Sequence, residues 1–248
     1  MERISSRKNA YITHLRTLAA DGEYRRSKGE FVCEGAKLLE EAISSGAEIG
    51  SVLWREGGEI RQLDCEKQYL APPSLFDHAS TMKNSPGPIF TVRMARERGE
   101  RAKNAIVLES VQDPGNVGTV LRTANAFGVD AVVLTGECAD IFAPKTVRAT
   151  MGAVFRQRVC RLELSELPEW LEKNGLELCG AALSAKAADI RAADLGGCAV
   201  AVGSEGRGLS RELLEMCAGQ IVIPMESGSE SLNAAVAASI IMWEMYRR

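Results

Sequence analysis

Ala105-Ile-Val-Leu-Glu109, then Val117 to Phe127 with Gly128 behind it, then Ala131-Val-Val-Leu-Thr135: this stretch decides the fold class. Both short runs are apolar throughout instead of alternating, so each is a strand covered on its two faces. The segment between them carries helical apolar spacing and stops at a glycine. Working outward, the alternation continues through a helical stretch around Ser165–Asn174 and a strand at Leu176–Leu183. Then come a strand at Cys198–Val202, a short helix at Ser210–Cys217, a strand at Gln220–Pro224 and a last helix from Ser231 to about Tyr246. Continuous apolar strands alternating with helices make an α/β fold built on a parallel sheet. Towards the N-terminus the texture differs. Asn9–Leu18 and Gly35–Ser44 have helical spacing, Ile49–Trp54 and Ile89–Val92 read as strands, and Ala71-Pro72-Pro73 and Ser85-Pro86-Gly87-Pro88 punctuate loops. Arg93 to Lys103 is charged and lacks periodicity, which makes it the linker candidate. Two domains are therefore expected, 1–100 and 101–248.

Bulk properties narrow the class. The 248 residues hold no apolar run near the roughly 18–20 needed to cross a bilayer. The chain begins Met-Glu-Arg-Ile-Ser-Ser-Arg-Lys with no apolar signal core behind it, so a soluble, cytoplasmic protein with no membrane partner is expected. None of the seven cysteines falls in a C-x-x-C pair, and His14 and His78 stand far apart in sequence. Zinc ribbons and disulfide frameworks need close, paired spacing, so no metal is expected and the thiols read as small hydrophobes. The net charge of −3 does not advertise a polyanion partner. Locally, Ile141 to Arg161 holds Lys145, Arg148, Arg156, Arg158 and Arg161 with no carboxylate. Such a run is either a solvated face or a phosphate-contacting patch, and Lys145, Arg148 and Arg156 are the candidates for the second role.

In open parallel sheets ligands bind beyond the carboxyl ends of the strands. Three loops there are rich in glycine and small polar residues. In the first, Asp113-Pro-Gly-Asn116, the Pro-Gly pair makes the turn and Asn116 is placed to cap the following helix. Arg122 lies inside that helix among apolar neighbours, either salt-bridged or facing a cleft. The second, Val202-Gly-Ser-Glu-Gly-Arg-Gly-Leu-Ser210, allows close backbone approach to a ligand, though a plain surface turn would look the same. The third, Ile223-Pro-Met-Glu-Ser-Gly-Ser-Glu-Ser-Leu-Asn233, ends where Ser231 or a neighbour caps the last helix. Neither a P-loop nor a G-x-G-x-x-G fingerprint is present, which sets aside nucleotide-dependent oxidoreductases.

Together the three loops resemble the motifs of the SpoU (TrmH-like) family of RNA 2′-O-ribose methyltransferases, within the SPOUT superfamily. Asn116 to Gly128 matches the first motif, Gly203 to Leu209 the second, and Ile223–Met225 with Ser231–Val236 the third. Ala143 to Phe155 is similar to the family's stretch between the first two motifs. Tyr24 to Leu38 more loosely resembles the substrate-recognition domain of many members, which has a ribosomal-protein-like α/β fold. The resemblance implies a trefoil knot in the C-terminal part of the catalytic domain, S-adenosylmethionine as cofactor, RNA as partner and a homodimer. Nothing in periodicity shows a knot, and knots are rare.

By the same resemblance, Gly203, Ile223 and Leu232 would hold the cofactor largely through backbone groups, with Ser184 a further candidate. Arg122 would act at the ribose hydroxyl, and Asn116, Glu205, Ser231 and Asn233 would orient it and the RNA; Glu205 has a purely structural role as its alternative. A free arginine, with a pKa above about 12, is a poor base, so base and alkoxide stabiliser both stay open. The N-terminal domain favours ribosomal over transfer RNA. The alternatives are a transfer-RNA methyltransferase or a non-catalytic RNA-binding protein that keeps the knotted fold.

Overall fold

A computed structural model describes residues 1–94, 101–184, 186–226, 228 and 231–247. The chain divides into two compact units: Met1–Arg96 with Asp140–Arg156, and Glu97–Ala139 with Gln157–Arg248. Of the linker candidate Arg93–Lys103, residues 95–100 lie outside the described residues.

In the first unit, the five strands β1 (Glu2–Arg3), β2 (Glu30–Glu34), β3 (Ile49–Arg55), β4 (Lys67–Ala71) and β5 (Ile89–Arg93) form a mixed sheet in the order β1-β4-β3-β5-β2. Period-two alternation splits its side chains between two cores. Val32, Leu53 and Ile89 join Ile12, Leu15 and Leu18 of α1 (Ala10–Ala20) and Leu75 and Phe76 of α4 (Pro73–Ala79) on one face. Phe31, Cys33, Val52, Trp54, Phe90 and Val92 meet Leu38, Leu39 and Ala42 of α3 (Ala36–Ser44) on the other, together with Val147 and Phe155. The segment 140–156, with α6 (Pro144–Thr150), thus completes the core of this unit. Arg25, on α2 (Gly22–Lys28) and 4% exposed, anchors it by donating to Asp140 Oδ2 at 2.6 and 3.1 Å and to the Leu18 carbonyl at 2.6 Å. Arg156 meets Glu41 at 2.6 Å and Arg148 donates to the Thr81 hydroxyl at 3.0 Å. Two members of the basic run that charge alone singled out are therefore engaged within their own unit.

The second unit holds seven parallel strands, β6 (Ala105–Glu109), β7 (Ala131–Thr135), β8 (Val159–Arg161), β9 (Glu177–Ala181), β10 (Ala188–Asp189), β11 (Cys198–Gly203) and β12 (Gly219–Val222). Their order is β10-β12-β9-β11-β6-β7-β8. One face packs Val107, Val133, Cys160 and Ala201 against Leu167 and Leu171 of α7 (Leu167–Asn174) and Leu213 of α8 (Arg211–Met216). The other is covered by α5 (Pro114–Ala126) and α9 (Ala234–Tyr246), which also pack on each other. The α/β class and parallel sheet expected from the apolar runs are found. Cys33 and Cys160 pack within cores, as small hydrophobes do.

Two capping assignments need correction. Asp113, not Asn116, caps α5, its Oδ1 accepting from the Asn116 N–H at 3.0 Å. Pro114 then takes the first helical position, where its missing N–H costs nothing. Likewise Asn233, not Ser231, caps α9, accepting from the Ala235 and Val236 N–H groups at 3.0 and 3.3 Å.

Candidate active site

With Asp113 capping α5 and Asn233 capping α9, the side chains of these loops take different roles. Because Asp113 satisfies the first turn of α5, the Asn116 carboxamide is left to reach across, and its Nδ2 donates to Glu205 Oε1 in the Gly203–Leu209 loop. Asn233 uses its oxygen for the cap and its Nδ2 for two further bonds, to Asn116 Oδ1 at 3.1 Å and Glu205 Oε1 at 3.4 Å. One residue from each of the three loops thus closes a hydrogen-bonded triangle. Glu205 and Asn233 are exposed and Asn116 is half-buried, so the triangle is a feature of a rim and not of a core.

The triangle stands at a cleft of about 490 Å³, whose walls come from Ala181–Leu183, Val202–Leu209, Ile221–Met225 and the start of α9. That size suits a nucleoside-sized ligand, and Leu209, Leu214 and Ile221 give it apolar walls. Gly203 is dictated by sterics. A Cβ there would lie 2.5 Å from the Leu209 nitrogen and closer still to the Gly208 carbonyl. The loop doubles back on itself, with the Gly208 N–H donating to the Ser204 carbonyl at 2.8 Å and Gly208 at a φ of 65°. Backbone groups are thereby brought to the cleft without side-chain bulk.

Gly203, Ile223, Leu232, Ser231 and Glu205 all line the cleft. Ser184 does not: it follows the wall residue Leu183, and its Oγ accepts the Lys186 N–H at 3.2 Å. Arg122 sits on the exposed side of α5, whose buried positions are Val117, Gly118, Val120, Leu121 and Ala124. It has no hydrogen-bond or ion-pair partner among the described residues. Of the two sequence readings, a salt-bridged arginine is not what the structure contains, and the guanidinium faces outward. Residues 227, 229 and 230 of the third loop lie outside the described residues.

Sequence reasoning passed over Glu109. It ends β6, is 7% exposed, and pairs in register with Gly203 on β11 and Thr135 on β7. Its Oε2 accepts the Ser210 N–H at 2.6 Å, holding the far end of the glycine-rich loop just where Ser210 Oγ caps α8. A carboxylate closing an otherwise apolar strand was the visible signal, since a buried acid needs a dedicated donor. Nearby, burial pushes the Cys217 and Cys179 thiols up to about 11, so neither is a nucleophile near neutral pH.

An S-adenosylmethionine molecule fits this donor set: apolar walls for an adenine and loop backbone groups for its edges. The comparisons agree. Residues 103–243 match the model of the SpoU rRNA Methylase family. Over 99% of both chains the sequence is 34% identical to the 23S rRNA (guanosine(2553)-2′-O)-methyltransferase RlmP of Bacillus subtilis (strain 168). The structure superposes with a TM-score of 0.81 on an RNA 2′-O ribose methyltransferase, 30% identical, covering 99% of this chain and 98% of that one. It also matches the AdoMet-bound rRNA methyltransferase from Sinorhizobium meliloti at a TM-score of 0.86 and 25% identity, covering 99% of this chain and 97% of that one. The motif-bearing loops, the cleft they wall and these full-length similarities agree: the chain belongs to the SpoU rRNA methylase family and is an S-adenosylmethionine-dependent RNA methyltransferase.

Proposed function

We propose that the protein methylates a ribose 2′-hydroxyl of ribosomal RNA, and that Arg122 and the Asn116–Glu205–Asn233 triangle are its working parts. The observation that carries this reading is an exposed arginine, without a hydrogen-bond or ion-pair partner among the described residues, on the same helix whose first turn supplies Asn116 to the triangle. When bound, S-adenosylmethionine supplies an electrophilic methyl group on a sulfonium. The backbone of Gly203, Ile223 and Leu232 would bind it, and the apolar walls would keep water from its reactive end. In the transfer the ribose oxygen would bond to the methyl carbon as the carbon–sulfur bond breaks with its electron pair left on sulfur, the hydroxyl proton would pass to water or an RNA phosphate, and negative charge would build on the oxygen as that proton leaves. Arg122, permanently charged, stabilises it there. Asn116, Glu205, Asn233 and Ser231 hold the loops and the ribose in register. Ser184 is set beyond the cleft wall and takes no part in this reading.

The same proposal includes four further elements. The second unit ends in a trefoil knot, in keeping with α9 returning to pack on α5 and β11 after β12, a strand that lies in the sheet on the far side of β9 from β11. Two copies pair, which Trp243 and Tyr246 support by remaining 49% and 61% exposed in one aromatic cluster with Phe127. The N-terminal unit, with its ribosomal-protein-like α/β fold, recognises the RNA, and the enzyme works in the cytoplasm. Among the described residues no helix is long and apolar enough to cross a membrane.

The test is transfer of radiolabelled methyl groups from S-adenosylmethionine into undermodified RNA. Label in alkali-resistant dinucleotides with wild type, and not with Arg122→Ala, is the expected result. Label in base-modified mononucleotides would overturn the ribose assignment.

A further inference from the structure

Residues 4–20 contain Arg7, Lys8, His14 and Arg16 and no carboxylate. Arg7 and Lys8 occupy the tip of a tight turn, in which the Asn9 N–H donates to the Ser6 carbonyl at 3.1 Å and the Lys8 N–H to Ser6 Oγ at 3.2 Å. The turn is held at both ends. Before it, the Ile4 N–H donates to the Leu70 carbonyl at 2.9 Å; after it, Asn9 caps α1 by accepting from the Tyr11 N–H at 2.8 Å. Arg16 lies further along α1, its Nη1 2.7 Å from His78 Nε2 on α4. Local desolvation, and then the charges of Arg16 and Arg7, hold His78 below its ordinary pKa. The one acid beside that ring in sequence, Asp77, is taken by Arg55.

Elsewhere in this unit, Arg3, Arg55, Arg93 and Arg156 each face a carboxylate. Arg7, Lys8 and Arg16 have none among the described residues, and all three are exposed. Like charges within a screening length of about 10 Å repel, and an anion placed among them relieves that repulsion. Guanidinium groups are suited to phosphate because their paired N–H donors match its oxygens.

We infer that Arg7, Lys8 and Arg16 form a phosphate-contact site for the RNA backbone, made of residues other than those of the methyl-transfer cleft. The inference rests on the reading of RNA as substrate and says which cations of the N-terminal unit grip it. It differs from the charge-run expectation, which pointed to Lys145, Arg148 and Arg156.

The experiment titrates full-length protein against an unmodified 23S rRNA transcript at several salt concentrations. The variants are the triple Arg7→Ala/Lys8→Ala/Arg16→Ala and a control, Arg3→Ala/Arg61→Ala, which removes cations already paired. Each lost phosphate contact should reduce the slope of log affinity against log salt by about 0.7–0.9. The triple variant should therefore lose about 2 from the slope and bind roughly tenfold or more weakly, with S-adenosylmethionine affinity unchanged and the control like wild type. Wild-type affinity and slope in the triple variant would overturn the site while leaving RNA binding intact. An equal loss in the control would overturn it too, by showing that any lost positive charge suffices. A wild-type protein that neither binds nor methylates the transcript would instead overturn the ribosomal-RNA reading on which the site rests.

Discussion

In the first unit the polar groups that organise the structure are inside: Arg25, Glu30 and Glu34 are buried, and each is met by dedicated partners. Arg25 has Asp140 and the Leu18 carbonyl; Glu34 accepts from Ser80 Oγ and from the N–H and hydroxyl of Thr81; Glu30 meets His14 at 2.9 Å. In the second unit the comparable polar groups, exposed Glu205 and Asn233 and half-buried Asn116, are bonded to one another across three loops. Burial makes a polar network expensive to disturb, whereas exposure makes it cheap energetically and available to a ligand. Removing a polar group should therefore cost stability in the first unit and rate in the second.

The largest effect expected is on rate. Arg122→Ala should slow methyl transfer by about a thousandfold, as loss of a transition-state charge partner does, without changing cofactor affinity or unfolding. A rate within a few fold of wild type would break the comparison outright. Gly203→Ala should weaken S-adenosylmethionine binding about a hundredfold in calorimetry, roughly 2.7 kcal/mol at 1.36 kcal/mol per tenfold, because the new methyl group overlaps the Gly208 backbone. Asp140→Ala tests the other side. It leaves the buried Arg25 guanidinium with only backbone carbonyls, and should lower stability by about 2–3 kcal/mol in denaturant titration. The smallest and sharpest effect is Asn233→Ser. Serine keeps the helix cap but not the reach to Asn116 and Glu205, so transfer should fall about tenfold while stability moves by less than about 0.5 kcal/mol. A stability loss without a rate loss would make the triangle structural.

What could be read in advance follows the same division. Strands β6 and β7 were legible to the residue, since a strand covered on both faces is a plain apolar run. Strand β2 was not, because it begins and ends in glutamates whose burial depends on partners distant in sequence. Helix α4 was hidden behind Pro72-Pro73, which reads as a loop although Pro73 fills the first helical position. At the site, the three motifs named the residues that meet, but not how they meet. The cap on α5 was placed three residues late because Asp-Pro-Gly reads as a turn before it reads as a helix start. The triangle follows from that cap, and spacing alone has no way to show it.

The contribution of Asp140–Arg156 to the first unit has a consequence for synthesis. Although most of that unit is encoded before residue 97, one wall of its core, with Phe142, Val147 and Phe155, comes after strands of the second unit. A ribosome adding about 5–20 residues per second therefore needs on the order of 5 s more before the N-terminal core can close. During that interval Phe31 lacks its aromatic neighbours, and Arg25 waits for the carboxylate that neutralises it. The two units cannot mature as beads on a string, and a gene fragment cut between them would yield an N-terminal piece with an open apolar face.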